Sequence, residues 1–178
     1  GSSVTISQQT ADIMLKFEPV LIKEKPDVVV IVGDVTSSIA CALVVSRYDD
    51  IKLAHIECGE RSRDRTMPEE NNRLIIDHLS DYLFSFTEGC VENLLKENIS
   101  KDRIHLVGNI HMDNFYNMEI DDLLIKYFIL FTIHRPFNVD NKEKLTKILK
   151  TMNNLKGYGI FPIHLRIYKN VKKWDLYK

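Results

Sequence analysis

Between His55 and Arg73 the chain reads HIECGERSRDRTMPEENNR, which sets four glutamates, four arginines and a histidine between an apolar run and a helix start. A solvated loop has no reason to follow a buried strand so closely, so the segment reads as a site for a polar ligand. Pro68 suits the first position of a helix, which puts Glu69 and Glu70 in its first turn. There the helix dipole favours the charged carboxylate, the form a base needs. A metal hydrolase could be assembled from Asp34, His55, Glu57 and His78, because His55 and Glu57 share a strand face. No compact HxxxH or HxH pair fixes a zinc site, which weighs against it.

The elements that must position these residues follow a βαβ rhythm. Apolar residues at Ile13, Met14, Phe17, Val20 and Leu21 predict a helix over Gln8 to Lys25, stopped by Pro26. Val28 to Val32 is a continuous β-branched run, expected as a strand buried on both faces of a parallel sheet. Thr36 to Arg47 reads as a helix of small residues capped near Thr36 or Ser37. Then come a strand at Lys52 to Ile56, a helix at Pro68 to Leu79, a strand at Tyr82 to Phe86, a short helix at Val91 to Glu97 and a strand at Arg103 to Val107. Such alternation means an open parallel sheet with right-handed crossovers. Each strand ends in a polar signature: Gly33-Asp34, Glu57-Cys58-Gly59, Thr87-Glu88 and Gly108-Asn109. In doubly wound sheets ligands lie outside the carboxyl ends of the strands, so these ends are expected to line one cleft.

Asp113 to Lys126 is polar and reads as a linker or short connecting helix, with a domain boundary near residue 125. Beyond it a strand at Tyr127 to Ile133 ends in His134-Arg135, a helix spans about Asn141 to Leu155, and a strand at Tyr158 to Phe161 leads to His164. Two strands and one helix are too few to close a core, so this second domain is expected to be incomplete. The basic tail from Tyr168 to Lys178 reads as a solvated end.

Composition sets outer bounds. A net charge of −1 lacks the basic excess of a nucleic-acid binder, and 44% apolar content supports a buried core. No apolar block is long enough to span a bilayer and no signal-type segment opens the chain, so the expected location is the cytoplasm. Cys41, Cys58 and Cys90 are odd in number and scattered, as expected of small buried residues in a reducing compartment.

GDVTSS at 33–38, the 55–73 segment, Thr87-Glu88, VGNIHMD at 107–113 and TIHRPFNVDN at 132–141 together resemble the UDP-N-acetylglucosamine 2-epimerase family. The resemblance implies an α/β fold of two Rossmann-like domains in the glycosyltransferase-B arrangement, 1–125 and 126–178, the second incomplete. It implies interconversion of UDP-GlcNAc and UDP-ManNAc through 2-acetamidoglucal, with a UDP-sugar bound between the domains, no cofactor or metal, and a homodimer formed through the first domain. Asp34, Glu57 and Glu69 match the family's catalytic carboxylates, and His134 matches a histidine important for catalysis. Arg135, His164, Glu70, Arg61 and Asn109 are carried as substrate-binding residues. Arg61 or Arg73 could instead pair internally with Glu57, Glu69 or Glu70, Asn109 and Asp113 could brace the hinge, and Asp34 could simply cap the following helix.

The family's GTRPE-type opening motif and its C-terminal half have no counterpart here, so the chain is expected to be a portion of an epimerase. Cys58 and Glu60 stand where relatives usually have Ala and Leu, Asn71 replaces an aliphatic residue, and Phe137 often corresponds to Glu. A noncatalytic nucleotide-sugar-binding protein and a hydrolysing epimerase releasing ManNAc and UDP are the two rival functions.

Overall fold

The computed structural model describes residues 5–118 and 127–176. The chain divides into two compact units, Gly1–Met118 and Glu119–Lys178, and the boundary expected near residue 125 falls outside the described residues.

In the first unit, helix α1 (Ile6–Glu24) starts at a capping box: Thr5 accepts from the Gln8 amide, and the Gln8 side chain accepts from the Thr5 amide. Strands β1 (Val28–Val32), β2 (Lys52–Ile56), β3 (Tyr82–Ser85) and β4 (Ile104–Leu106) form one parallel sheet in sequential order. Helices α2 (Thr36–Val45), α3 (Pro68–Leu79) and α4 (Glu88–Lys96) are the crossovers. Because crossovers of one hand between sequential strands return on one side, all three pack on the same face. Leu21, Ile31, Ile39, Val45, Leu53 and Ile76 form the main core there. Leu83, Leu94 and Ile99 extend it under α4.

This order corrects one expectation about β1. Ile31 is buried and Val29 packs beside it, but Val28, Val30 and Val32 are 43%, 57% and 50% exposed. Among the described residues the second face of β1 has no covering layer, so the β-branched run is buried on one face only. Nor does the strand order reverse among the described residues, so no topological switch point within them locates a cleft. What gathers the functional residues is that four parallel strands present their carboxyl ends along one edge. Helix α2 departs too: its cap is Val35, without a side-chain bond, while the Ser38 hydroxyl donates to the Val32 carbonyl at 3.0 Å. Helix α4 begins earlier than expected, because Thr87 caps it by accepting from the Cys90 amide.

After β4, the chain turns at Gly108 and enters α5 (Ile110–Tyr116), capped by Asn109. Asp113, expected at the head of a linker, lies within this helix, and the rest of that segment from residue 119 is outside the described residues.

The second unit pairs β5 (Ile129–Leu130) with β6 (Gly159–Ile160) in parallel. Helices α6 (Pro136–Val139), α7 (Lys142–Asn153) and α8 (Leu165–Trp174) are its helices among the described residues. The expected solvated tail is instead most of α8. Ile167, Val171 and Trp174 recur at helical spacing, and Ile167 and Val171 join Val139 and Leu145 in a small core. Three helices therefore close a core that one helix could not.

Candidate active site

Asp34 and Glu57 end adjacent paired strands, since Val32 lies opposite Ile56 and the Gly33 amide extends the ladder to the Ile56 carbonyl. A Cβ added at Gly33 would sit 3.6 Å from Glu57 Oε2, so the Glu57 carboxylate lies against the β1 end. Both acids remain reachable, with side chains 20% and 29% exposed. Asp34 does not cap α2. It is ion-paired with Arg73, and its carbonyl accepts from Asn72 Nδ2 at 2.8 Å, so consecutive residues of α3 grip the end of β1. Glu69, in the first turn of α3, is half-buried and its carboxylate has no hydrogen-bond or ion-pair partner among the described residues.

Glu57 has a left-handed backbone, φ 69°, a conformation that costs a non-glycine residue about 1–3 kcal/mol unless its surroundings enforce it. The main restraint is Asp77, fully buried in α3. One oxygen accepts from His55 Nδ1 at 2.7 Å, and the other from the Gly59 amide at 3.1 Å and lies 2.7 Å from Arg61 Nη2. Asp77 thereby holds residues 55, 59 and 61 around Glu57. His55 Nε2 lies 3.0 Å from the Gly33 carbonyl oxygen, so both ring nitrogens are engaged by protein oxygens and neither is open to a metal. That removes the key ligand from the metal-hydrolase alternative, and no group of three or more candidate ligands occurs among the described residues. Gly59, at φ 79°, is required where it stands, since a Cβ would come within 2.6 Å of the Cys90 carbonyl oxygen.

Two expected ligand contacts are internal braces instead. The Arg61 side chain is 3% exposed and forms a two-pronged pair with Glu97 as well as meeting Asp77. Burial alone would weaken its charge, but the bonds to Glu97 and Asp77 more than offset this and hold the guanidinium firmly protonated. Glu70 is 2% exposed and accepts from the Ser62 amide, the Ser62 hydroxyl and the Arg63 amide at 2.9–3.0 Å. Neither has surface left for a ligand. Of the substituted positions, Cys58 is buried against the Ser85 hydroxyl, its thiol pushed up to about 12 by burial, whereas Glu60 is exposed, with its carboxylate 3.8 Å from Arg73. Cys41, Cys58 and Cys90 are all free thiols.

Glu70 makes the loop sensitive to acid. Burial pushes its carboxyl up, but the three donors prevail and hold it below the ordinary glutamate value of about 4.3. Its contribution to stability is therefore full above that value and is lost as pH falls through the lower folded-state value. Urea unfolding followed by circular dichroism should find Glu70→Gln less stable than wild type at neutral pH, with the gap closing in acid. A gap independent of pH would assign the effect to packing.

A cleft of about 500 Å³ adjoins the strand ends, lined by Ile56, Phe84, Val107, Asn109, Met112 and Asp113. Asn109 reaches it as the cap of α5, its side chain accepting from the His111 amide at 2.9 Å. No motif in the sequence marks His111 or Asp77 as functional. His111 was visible only as a histidine beside a strand-end Gly-Asn, and Asp77 only as a carboxylate one residue after a core isoleucine on an amphipathic helix.

In the second unit, His134 and Arg135 follow β5 and His164 follows β6, on one edge of the parallel pair. All three are exposed, and the two imidazole centroids are 6.5 Å apart. His164 also caps α8, its Nδ1 accepting from the Arg166 amide at 3.2 Å.

No helix of the described residues is long and apolar enough to cross a membrane. The family profile described as UDP-N-acetylglucosamine 2-epimerase matches residues 1–175. A UDP-N-acetylglucosamine 2-epimerase of Methanocaldococcus jannaschii is 42% identical over 98% of this chain and 52% of its own length. One of Methanococcus maripaludis is 41% identical over 94% of this chain and 50% of its own. The crystal structure of the M. jannaschii enzyme in complex with UDP-GlcNAc and UDP matches with a TM-score of 0.79 at 41% identity, over 99% of this chain and 52% of that one. The chain thus spans about half the length of the curated relatives it matches, and its architecture is the α/β, glycosyltransferase-B type of these enzymes. With the family profile spanning residues 1–175 and 41–42% identity to these enzymes over nearly all of its length, the chain belongs to the UDP-N-acetylglucosamine 2-epimerase family.

Proposed function

We propose that the protein carrying this chain interconverts UDP-GlcNAc and UDP-ManNAc by anti elimination of UDP to 2-acetamidoglucal, followed by re-addition in which UDP rejoins C1 on its original face and the proton returns to C2 from the opposite face. The observation that carries this reading is the pair of reachable carboxylates, Asp34 and Glu57, at adjacent parallel strand ends. A C2 hydrogen is barely acidic, so its removal needs an aligned, partly desolvated base, and the departing phosphate needs a cation or acid. Positive charge develops at the anomeric carbon, where flanking carboxylates stabilise it. Asp34, Glu57 and Glu69 supply the carboxylates.

His134, Arg135 and His164 are the proposed diphosphate ligands, with His134 also acting in the chemistry. Their shared edge and exposure in the second unit support that assignment. The sugar nucleotide is proposed to bind between two Rossmann-like domains, to which residues 1–125 and 126–178 contribute. The same reading makes the protein a cytoplasmic homodimer without a cofactor, serving cell-envelope polysaccharide synthesis; sedimentation of the purified protein tests the dimer.

Proton removal by a side chain that exchanges with solvent leaves a label. Turnover of UDP-GlcNAc in D₂O by a polypeptide carrying this chain at the full length of its relatives should give product with deuterium at C2. Unlabelled product would exclude elimination, and release of free ManNAc would identify a hydrolysing epimerase.

A further inference from the structure

Glu57 has a partner that neither its strand nor its loop supplies. His111 Nε2 lies 2.8 Å from Glu57 Oε1, while Oε2 rests against Gly33. The approach is built by backbone. The Val107 amide donates to the Ser85 carbonyl at 2.9 Å, which carries the line of β4 past its last residue. Gly108 then turns at φ 85°, a left-handed conformation that favours glycine. Asn109 caps α5 by accepting from the amide of His111 itself. Helix α5 therefore delivers the imidazole to the carboxylate.

We propose that His111 is a positioning residue for Glu57: its Nε2–H donates to Oε1, fixes the carboxylate rotamer, and leaves Oε2 as the oxygen that exchanges a proton with the sugar. This rests on the role proposed above for Glu57. The His111 side chain is 72% exposed, and exposed ion pairs add little to stability. Its replacement therefore tests chemistry without endangering the fold. A carboxylate held by one donor is pre-aligned for the proton at C2, and small losses of alignment are expensive in rate.

The test is kinetic, in a polypeptide carrying this chain at the full length of its relatives, with UDP-GlcNAc as substrate. His111→Ala should lower kcat by about 10-fold or more while KM moves by less than about 3-fold. His111→Gln, whose amide N–H can donate to the same oxygen, should recover most of the loss. The double variant with Glu57→Gln should be no slower than Glu57→Gln alone, because the histidine acts through that carboxylate. A His111→Ala enzyme with wild-type kcat, beside an impaired Glu57→Gln enzyme, would overturn the inference, as would additive losses. A wild-type protein without epimerase turnover would instead refute the proposed function. The contact is then decided by the ring ¹⁵N resonances of His111: a shift on Glu57→Gln supports it, and unchanged resonances overturn it.

Discussion

Glu57→Gln, in a polypeptide carrying this chain at the full length of its relatives, should cut epimerase turnover by about 10² or more with little change in circular dichroism. The substitution keeps shape and removes only the capacity to take or give a proton. The fold has little reason to respond, because no buried donor depends on the Glu57 carboxylate: its neighbours are the exposed His111 and the Gly33 backbone. The turn that presents it is enforced through Asp77, Asn93 and the Cys58–Ser85 contact instead. Loss of rate should thus appear in kcat, measured by separating UDP-GlcNAc from UDP-ManNAc. Near-normal turnover would move the proton-transfer role to Asp34 or Glu69.

Asp77→Ala should have the largest effect on stability, about 3–5 kcal/mol, because it breaks a buried ionic network from one side. His55 Nδ1 and the Gly59 amide would lose a fully buried acceptor, and Arg61 would keep only Glu97 and the Glu60 carbonyl. The left-handed turn at Glu57 would also lose its main restraint. The urea midpoint of the present chain measures the stability loss. In the full-length protein, whatever variant still folds should have a lower kcat, since Glu57 would no longer be held. A change in unfolding free energy below about 1 kcal/mol would mean that water or a neighbouring group replaces the carboxylate.

Much of the architecture was legible because it is written locally. The run Val28–Val32, the Pro-Glu-Glu start of α3 and the strand-end pairs at Gly33-Asp34 and Gly108-Asn109 each carry a period, a cap or a turn residue. Burial was less legible: β1 looked covered on both faces because β-branched runs usually are, yet strand order puts every crossover helix on one side. The α8 stripe of Ile167, Val171 and Trp174 was present in sequence but hidden under its lysines.

The residue types of the proposed site were determined by sequence alone: carboxylates after β1 and β2, a third at the start of α3, and histidines with an arginine after β5 and β6. Tertiary structure alone decided their employment. Glu69 and Glu70 are neighbours in one helical turn, yet only Glu70 faces the loop amides of Ser62 and Arg63 and is consumed by them. Arg61 and Arg73 look alike in the sequence, but Arg61 is buried between Asp77 and Glu97 whereas Arg73 grips Asp34 at the strand edge. His111 meets Glu57 only because parallel pairing carries β4 and its following helix to the same edge as β2. Charge and helix phase are properties of a few consecutive residues, whereas the partner of a carboxylate is set by which distant donors the fold brings within about 3 Å, and no local pattern contains that.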